Sequence, residues 1–294
     1  DISIYWTSDK NNTPFNSLNW ERFINKGLEN RKRLHVFTAT TDEGTFHNLN
    51  YFTDTGSLLF ILNPLFDKMW IVYSNDEPKY NIESILVGPA LGAIQRLKGV
   101  ICLHSSVINI DGKAVAFIGQ KRAGKSTMAA AFVKNGHNVI ADDLAVLTER
   151  DGSISVFPGY PKVRLRPQSL LAIHNDKLET FQQVYPNRDS RYTDIEHCFE
   201  KEPLPLRAIY ILSPADDIGT TPEFEPVNAA QKMVRVIEHS FAAYMLNSDL
   251  KKEEFSFFAR LTMLIPIRKI NFEHNLDFLD TNCSEIVKDF RMLN

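Results

Sequence analysis

Cysteine is scarce: 294 residues hold three, Cys102, Cys198 and Cys283, far apart and with neither a C-x-x-C pair nor a zinc-ligand spacing. A disulfide framework and a structural zinc site are not expected, and a reducing cytoplasm is the expected location. Long apolar runs are lacking too. The richest, Leu58 to Leu62, is cut by Asn63-Pro64, well short of the roughly 18 residues that a membrane-spanning helix requires. No membrane partner is expected. Nor is there an excess of positive charge: 33 basic against 36 acidic residues give a net charge of −3 with His neutral. Bulk neutralisation of phosphates needs a basic domain, so no nucleic-acid partner is expected. The one basic cluster, Arg31-Lys32-Arg33, falls at the end of an expected helix and reads as a solvated helix terminus. Repeats and low-complexity tracts are absent from the sequence, as is any Gly/Ser linker.

What remains is an ordinary globular composition, 44 % apolar and 23 % charged, sufficient for an ordered core. At about 150 residues per domain the length allows one large domain or two modest ones. A soft boundary falls near residue 95. Before it, Ile2 to Trp6, Leu34 to Thr40, Leu58 to Leu62 and Met69 to Tyr73 are strand-like in their β-branched and aromatic content. Ser17 to Arg33 is expected to be helical from the spacing of Leu18, Phe23, Ile24 and Leu28. Glu83 to Leu97 also reads as helix, with Pro89 disturbing its middle.

Beyond the boundary, Val100 to Ile110 and Ala114 to Ile118 form an expected hairpin about Asp111-Gly112. An Ala-rich helix follows from Gly124 and ends at Gly136, then a strand at Asn138 to Ala141 and more strands to Leu165. Leu206 to Leu212 is a buried-type strand. The remainder is largely helical (Asn228 to Leu246, Lys251 to Leu264, Ser284 to Leu293), broken by a strand at Ile267 to Phe272. Strands and helices in this order, with hairpins, predict an α/β chain with a mixed sheet.

Gly119-Gln120-Lys121-Arg122-Ala123-Gly124-Lys125-Ser126 fits GxxxxGK[ST], between a buried strand and an amphipathic helix, with Thr127 in the helix's first turn. Glycines let backbone N–H groups point inward around an anion, and the helix N-terminus adds its dipole. Lys125 can reach the β- and γ-phosphates of a nucleotide, and the Ser126 hydroxyl can ligate Mg²⁺. Seventeen and eighteen residues after Lys125, Asp142 and Asp143 end an apolar strand. Adjacent residues there point in different directions, so one carboxylate can sit near Mg²⁺ while the other accepts a proton from an attacking hydroxyl. His104 lies 21 residues before Lys125, on the hairpin strand beside the loop strand; taken alone, it reads as a packed structural histidine.

His104, the loop and Ala141-Asp142-Asp143, with both intervals, resemble the catalytic domain of HPr kinase/phosphorylase, whose P-loop fold is related to phosphoenolpyruvate carboxykinase. Leu103-His104-Ser105-Ser106-Val107 and Phe157-Pro158-Gly159-Tyr160-Pro161 are more similar still to its shorter relatives, some of which phosphorylate a Ser of a lasso-peptide precursor. The resemblance is firm over residues 97 to 167, weaker to the C-terminus, and absent from the first 95 residues. It implies an HPr-kinase-like P-loop core over 96–294, ATP and Mg²⁺ as cofactors, Lys125 on the transferring phosphate, Ser126 and Asp142 at the metal, Asp143 as general base and His104 lining the phosphate site. The residues alone leave the order of the two aspartates open. Where the family carries a Glu-Ile-Arg sequence before a Gly-rich segment, this chain has Lys162-Val163-Arg164-Leu165-Arg166-Pro167, without the Glu, so the reverse, dephosphorylating reaction is not carried over. Arg164 and Arg166, and more weakly Arg188 and Arg191, are candidate phosphate contacts, a solvated basic strand face being the alternative.

The resulting expectation is an ATP-dependent Ser kinase acting on a peptide or small protein, such as a lasso precursor. A small-metabolite kinase and a non-catalytic nucleotide-sensing module are the alternatives. Residues 1–95, an amino-terminal α/β region rich in aromatics, are expected either to capture the acceptor by strand addition or simply to pack as core. Homo-oligomerisation stays open.

Overall fold

The computed structural model describes residues 2–8, 15–23, 33–174, 180–185 and 188–293. The chain divides into two compact units, Asp1–Lys98 with Ala242–Met245, and Gly99–Phe241 with Leu246–Asn294.

The first unit is a six-stranded sheet followed by helix. Its strands are β1 (Ser3–Thr7), β2 (Glu21–Arg22), β3 (Leu34–Thr41), β4 (Gly44–Thr53), β5 (Gly56–Leu62) and β6 (Lys68–Val72), in the order β1-β6-β5-β4-β3-β2. All neighbours are antiparallel except β1 and β6. Phe15, Phe46, Ile61 and Val72 form an apolar cluster on which Leu18, Trp20, Leu59 and Trp70 pack. That cluster corrects the described first part, residues 17–23, of the helix expected over 17–33. Residues 15–18 turn, and Glu21–Arg22 pairs with Thr38 and Phe37. Burial of Leu18 against the sheet outweighs the helical spacing, while residues 24–32, with Ile24, Leu28, Arg31 and Lys32, lie outside the described residues. Two helices, α1 (Lys79–Ile85) and α2 (Leu91–Leu97), are joined by a π-helical turn over Leu86–Ala90. Pro89 lies in that wider turn, where the missing N–H and the ring do not break an α-helical ladder.

The second unit runs through β7 (Ile101–Leu103), β8 (Ser106–Ile110), β9 (Lys113–Ile118), α3 (Lys125–Lys134), β10 (Val139–Ala141), β11 (Ala145–Arg150) and β12 (Ser153–Phe157). It continues with β13 (Lys162–Leu165), α4 (Pro167–His174), β14 (Gln183–Tyr185), β15 (Arg188–Asp194), β16 (Leu204–Ala215) and β17 (Glu223–Pro226). Last come α5 (Ala229–Glu238), α6 (Ser248–Leu264), β18 (Ile267–Glu273) and α7 (Leu279–Met292). The main sheet has the order β10-β8-β9-β16-β12-β11-β7, with β18 against β16 and β17 against β18; β13, β15 and β14 make a separate small sheet. β16 runs parallel to β9 and β18 while the other pairs are antiparallel, so the sheet is mixed, as expected.

Alternation along β9 sets the two faces. Val115 and Phe117 join Met128 and Phe132 of α3 and Ile286 and Phe290 of α7. Ala116 and Ile118 join Val236 of α5 and Phe258 and Leu261 of α6. The expected continuous strand Val100 to Ile110 is in fact two. The chain bends at His104-Ser105, so that β7 pairs with β11 while β8 pairs with β9 and β10. The polar His104-Ser105-Ser106 step between the two apolar runs marks this change of partner.

Candidate active site

β8 is antiparallel to β9, and β10 is antiparallel to β8, so β10 points the same way as β9. The C-terminal ends of β9 and β10 and the start of β8 therefore meet at one sheet edge. This topology brings the Gly119–Ser126 loop, Asp142-Asp143 and His104 together, with β8 between the two parallel strands.

The loop needs its glycines. At Gly119, with φ of 158°, a Cβ would come within 3.0 Å of the Leu212 carbonyl oxygen and of the Ala123 side chain. Gly124 takes a left-handed φ of 92° at the N-cap of α3, which an L side chain rarely adopts. Gln120, Lys121 and Arg122 are exposed at the loop's rim, whereas Ala123 packs inward. Lys125 is buried and folds back over the loop, donating from Nζ to the carbonyls of Gly119 (2.9 Å) and Gln120 (3.4 Å). Burial lowers its pKa; the charges of Asp143 and Asp142 oppose that and favour the ammonium. Thr127 pairs its hydroxyl with Ser169 of α4 at 2.9 Å.

Asp142 is enclosed by donors. Ser106 Oγ donates to Oδ1 at 2.6 Å and the backbone N–H of Arg164 to Oδ2 at 3.1 Å, while the nearby Ser126 hydroxyl also favours the charged form. Burial, then the charge of Asp143, pushes its pKa up to about 6 against these bonds. Asp143 sits at a left-handed φ of 65°, a conformation Asp tolerates better than most residues, and its Oδ2 faces Arg164 Nη1 at 3.6 Å. Its carbonyl oxygen lies 2.9 Å from His104 Nδ1. A carbonyl only accepts, so Nδ1 carries the proton and neutral His104 has a bare Nε2. Burial and the positive charge of Lys125 lower the His104 pKa.

Of the candidate arginines, Arg164 reaches the aspartate pair. Arg166 is exposed, and Arg191 donates from Nη1 to the carbonyls of Asp189 (3.1 Å) and Ser190 (3.4 Å) on its own strand. The reason is register: Arg191 pairs with Leu165 across the small sheet, one residue beyond Arg164. The side chain of Arg188 lies outside the described residues. Sequence reasoning gives no role to Ser106, Ser169 or His239. Ser106 has a local signal, a hydroxyl opening a strand two residues after His104; the other two are brought near only by tertiary packing.

Among the described residues no cluster of three or more His, Cys, Asp or Glu could hold a metal by itself. The Ser126 hydroxyl near the Asp142 carboxylate nevertheless offers two hard oxygen ligands of the kind that would hold a Mg²⁺ on a bound phosphate. The residues fit that cation.

Loop, helix N-terminus and acidic pair have the geometry of a P-loop phosphate site. Comparison with known proteins shows a distant sequence relationship to HPr kinase/phosphorylases. The HPr kinase/phosphorylase of Chloroherpeton thalassium is 33 % identical over 61 residues, which are 21 % of this chain and 18 % of that protein. A protein of Oceanobacillus iheyensis with the provisional name HPr kinase/phosphorylase 2 is 29 % identical over 87 residues, 30 % of this chain and 24 % of that protein. The matches thus span about a fifth to a quarter of these relatives' length. Among solved structures, the Hpr(Ser) kinase/phosphatase of Coxiella burnetii aligns with 65 % of this chain and 96 % of its own at 14 % identity and a TM-score of 0.35. No family model matches. Among the described residues no helix is long and apolar enough to cross a membrane.

Proposed function

We propose that this chain is a Mg²⁺- and ATP-dependent kinase that phosphorylates a Ser hydroxyl of a peptide or small protein, a lasso-peptide precursor being the acceptor its motifs favour. The observation that carries the reading is the gathering of Ser126 and Asp142 beside Lys125 and Asp143, four groups with distinct duties at one sheet edge. Bound Mg²⁺ would neutralise charge on the phosphate oxygens, held by Ser126 and Asp142. Lys125, released from the loop carbonyls, turns its ammonium to the β- and γ-phosphates, and the loop N–H groups bind the remaining oxygens. Asp143 takes the proton of the acceptor hydroxyl as its oxygen bonds to the γ-phosphorus in line, the bond from that phosphorus to the β-phosphate oxygen breaks, and ADP leaves. Arg164 steadies that carboxylate from 3.6 Å, and His104, bonded to the Asp143 carbonyl, fixes the backbone on which it stands. A cytoplasmic setting accords with three free thiols.

Incubation with Mg-ATP, Ser-containing precursor-like peptides and hydroxylated metabolites, followed by intact mass spectrometry, tests the reading. One added phosphoryl mass on a peptide, mapped to Ser, supports it. Phosphorylation of a metabolite makes the chain a small-molecule kinase, and nucleotide binding without transfer makes it a sensing module; either result displaces the proposal.

A further inference from the structure

His239 caps the C-terminus of α5, and no motif points to it. The chain around it is stitched to the segment that carries His104. His104 N–H donates to the His239 carbonyl at 2.8 Å, Phe241 N–H donates to the Cys102 carbonyl at 2.9 Å, and Leu103 and Ser240 form a bridge between these bonds. The Ser240 hydroxyl donates to the buried Glu254 of α6 at 2.8 Å, which anchors the segment from behind. The His239 residue is 8 % exposed, yet among the described residues neither ring nitrogen has a hydrogen-bond partner. Neither nitrogen is among the fully buried, unpartnered side-chain atoms of the described residues, so the ring edge keeps contact with solvent and stays open to a ligand. The charges that act most on the ring are those of Lys125 and then His104, so it lies within electrostatic reach of the loop lysine.

We propose that His239 is a phosphate-binding residue of this site, donating a ring N–H to a terminal phosphate oxygen of the bound nucleoside triphosphate. This rests on the nucleotide reading above. It adds a donor from the α5–α6 junction, an element separate from those that carry the loop and the aspartate pair. Burial keeps the ring neutral, so it supplies one directed donor without adding charge beside Lys125.

The test uses the full chain. ATP affinity is measured calorimetrically for the wild type, His239→Phe and His239→Gln, in which the backbone bonds around position 239 are retained because they involve no side chain. In parallel, ring ¹⁵N resonances of wild-type His239 are followed while inorganic tripolyphosphate is added. The expected result is a saturable shift of the ring nitrogens, about ten- to a hundredfold weaker ATP binding in the Phe variant, and partial recovery with Gln, which keeps a donor. Unchanged affinity in the Phe variant overturns the proposal while leaving the nucleotide reading intact. Weaker binding without a ring shift assigns His239 to packing and overturns it equally. A wild type that binds no ATP removes the nucleotide reading itself.

Discussion

Asp142 meets two opposed demands. Without a cation it is a carboxylate held among a hydroxyl pair, a backbone amide and a second carboxylate, and its pKa rises to about 6; with a cation its charge is needed. Asp142→Asn keeps an acceptor for Ser106 and removes the charge. The expected outcome is a fold that survives and a Mg²⁺ requirement for ATP binding raised about tenfold or more, read from titrations at fixed nucleotide. An unchanged Mg²⁺ dependence would move the metal to Asp143. At this scale much is legible in the sequence: the loop and the acidic pair are runs of consecutive residues whose chemistry depends on local order. Ser106, Ser169 and His239 are not, since each acquires its neighbours from another element.

Among the elements, α7 is pinned to the central strands by a polar triad. Tyr210 of β16 donates to Asp289 Oδ2 at 2.7 Å, and Arg268 of β18 meets Oδ1 at 2.6 Å. Asp289 is 5 % exposed, and burial of Tyr210, followed by its hydrogen bond to Asp289 and the charge of that carboxylate, holds the phenol protonated far above the usual range. Because α7 packs on α3, whose first turn continues the phosphate loop, the triad supports the site from behind. Tyr210→Phe is expected to cost about 1 kcal/mol, one hydrogen bond. Asp289→Ala is expected to cost about 3 kcal/mol, since it strands a partly buried guanidinium. Urea unfolding decides; equal costs would mean that Arg268 is satisfied without Asp289.

The elements also show where sequence reading stops. β4 escapes it because His47, Asn48 and Asn50 dilute the strand's apolar residues, although its pairing with β3 and β5 runs unbroken. Over residues 17–23 the expected helix, and over 100–110 the expected single strand, give way for related reasons: a local pattern is overruled by the partner the chain finds.

On the scale of the whole molecule, acid is the condition that reads the buried histidines. His47, His104 and His239 are all depressed below 6.5, each chiefly by burial, and His239 falls to about 4 under the added push of Lys125, His104 and Arg235, with Glu238 opposing. Unfolded chains take up these protons below pH 6.5 while the folded chain resists. Their contribution is complete above pH 6.5 and is lost as pH falls toward 4. Asp142, raised to about 6, works in the other direction over part of that window, so the comparison must cancel it. Urea midpoints of the wild type and His239→Gln between pH 7 and 4 do so. The wild type should lose more stability than the variant on acidification; parallel curves would show that His239 titrates normally.

The most direct measurement is Ser phosphorylation set against ATP binding in the wild type and in Asp143→Asn. Asn tolerates the same left-handed backbone at position 143, so the fold of the turn is kept while the proton acceptor and its charge are removed. The account predicts near-equal ATP affinity for both proteins and transfer slowed about 10²- to 10⁴-fold in the variant. Transfer at the wild-type rate by Asp143→Asn would contradict it.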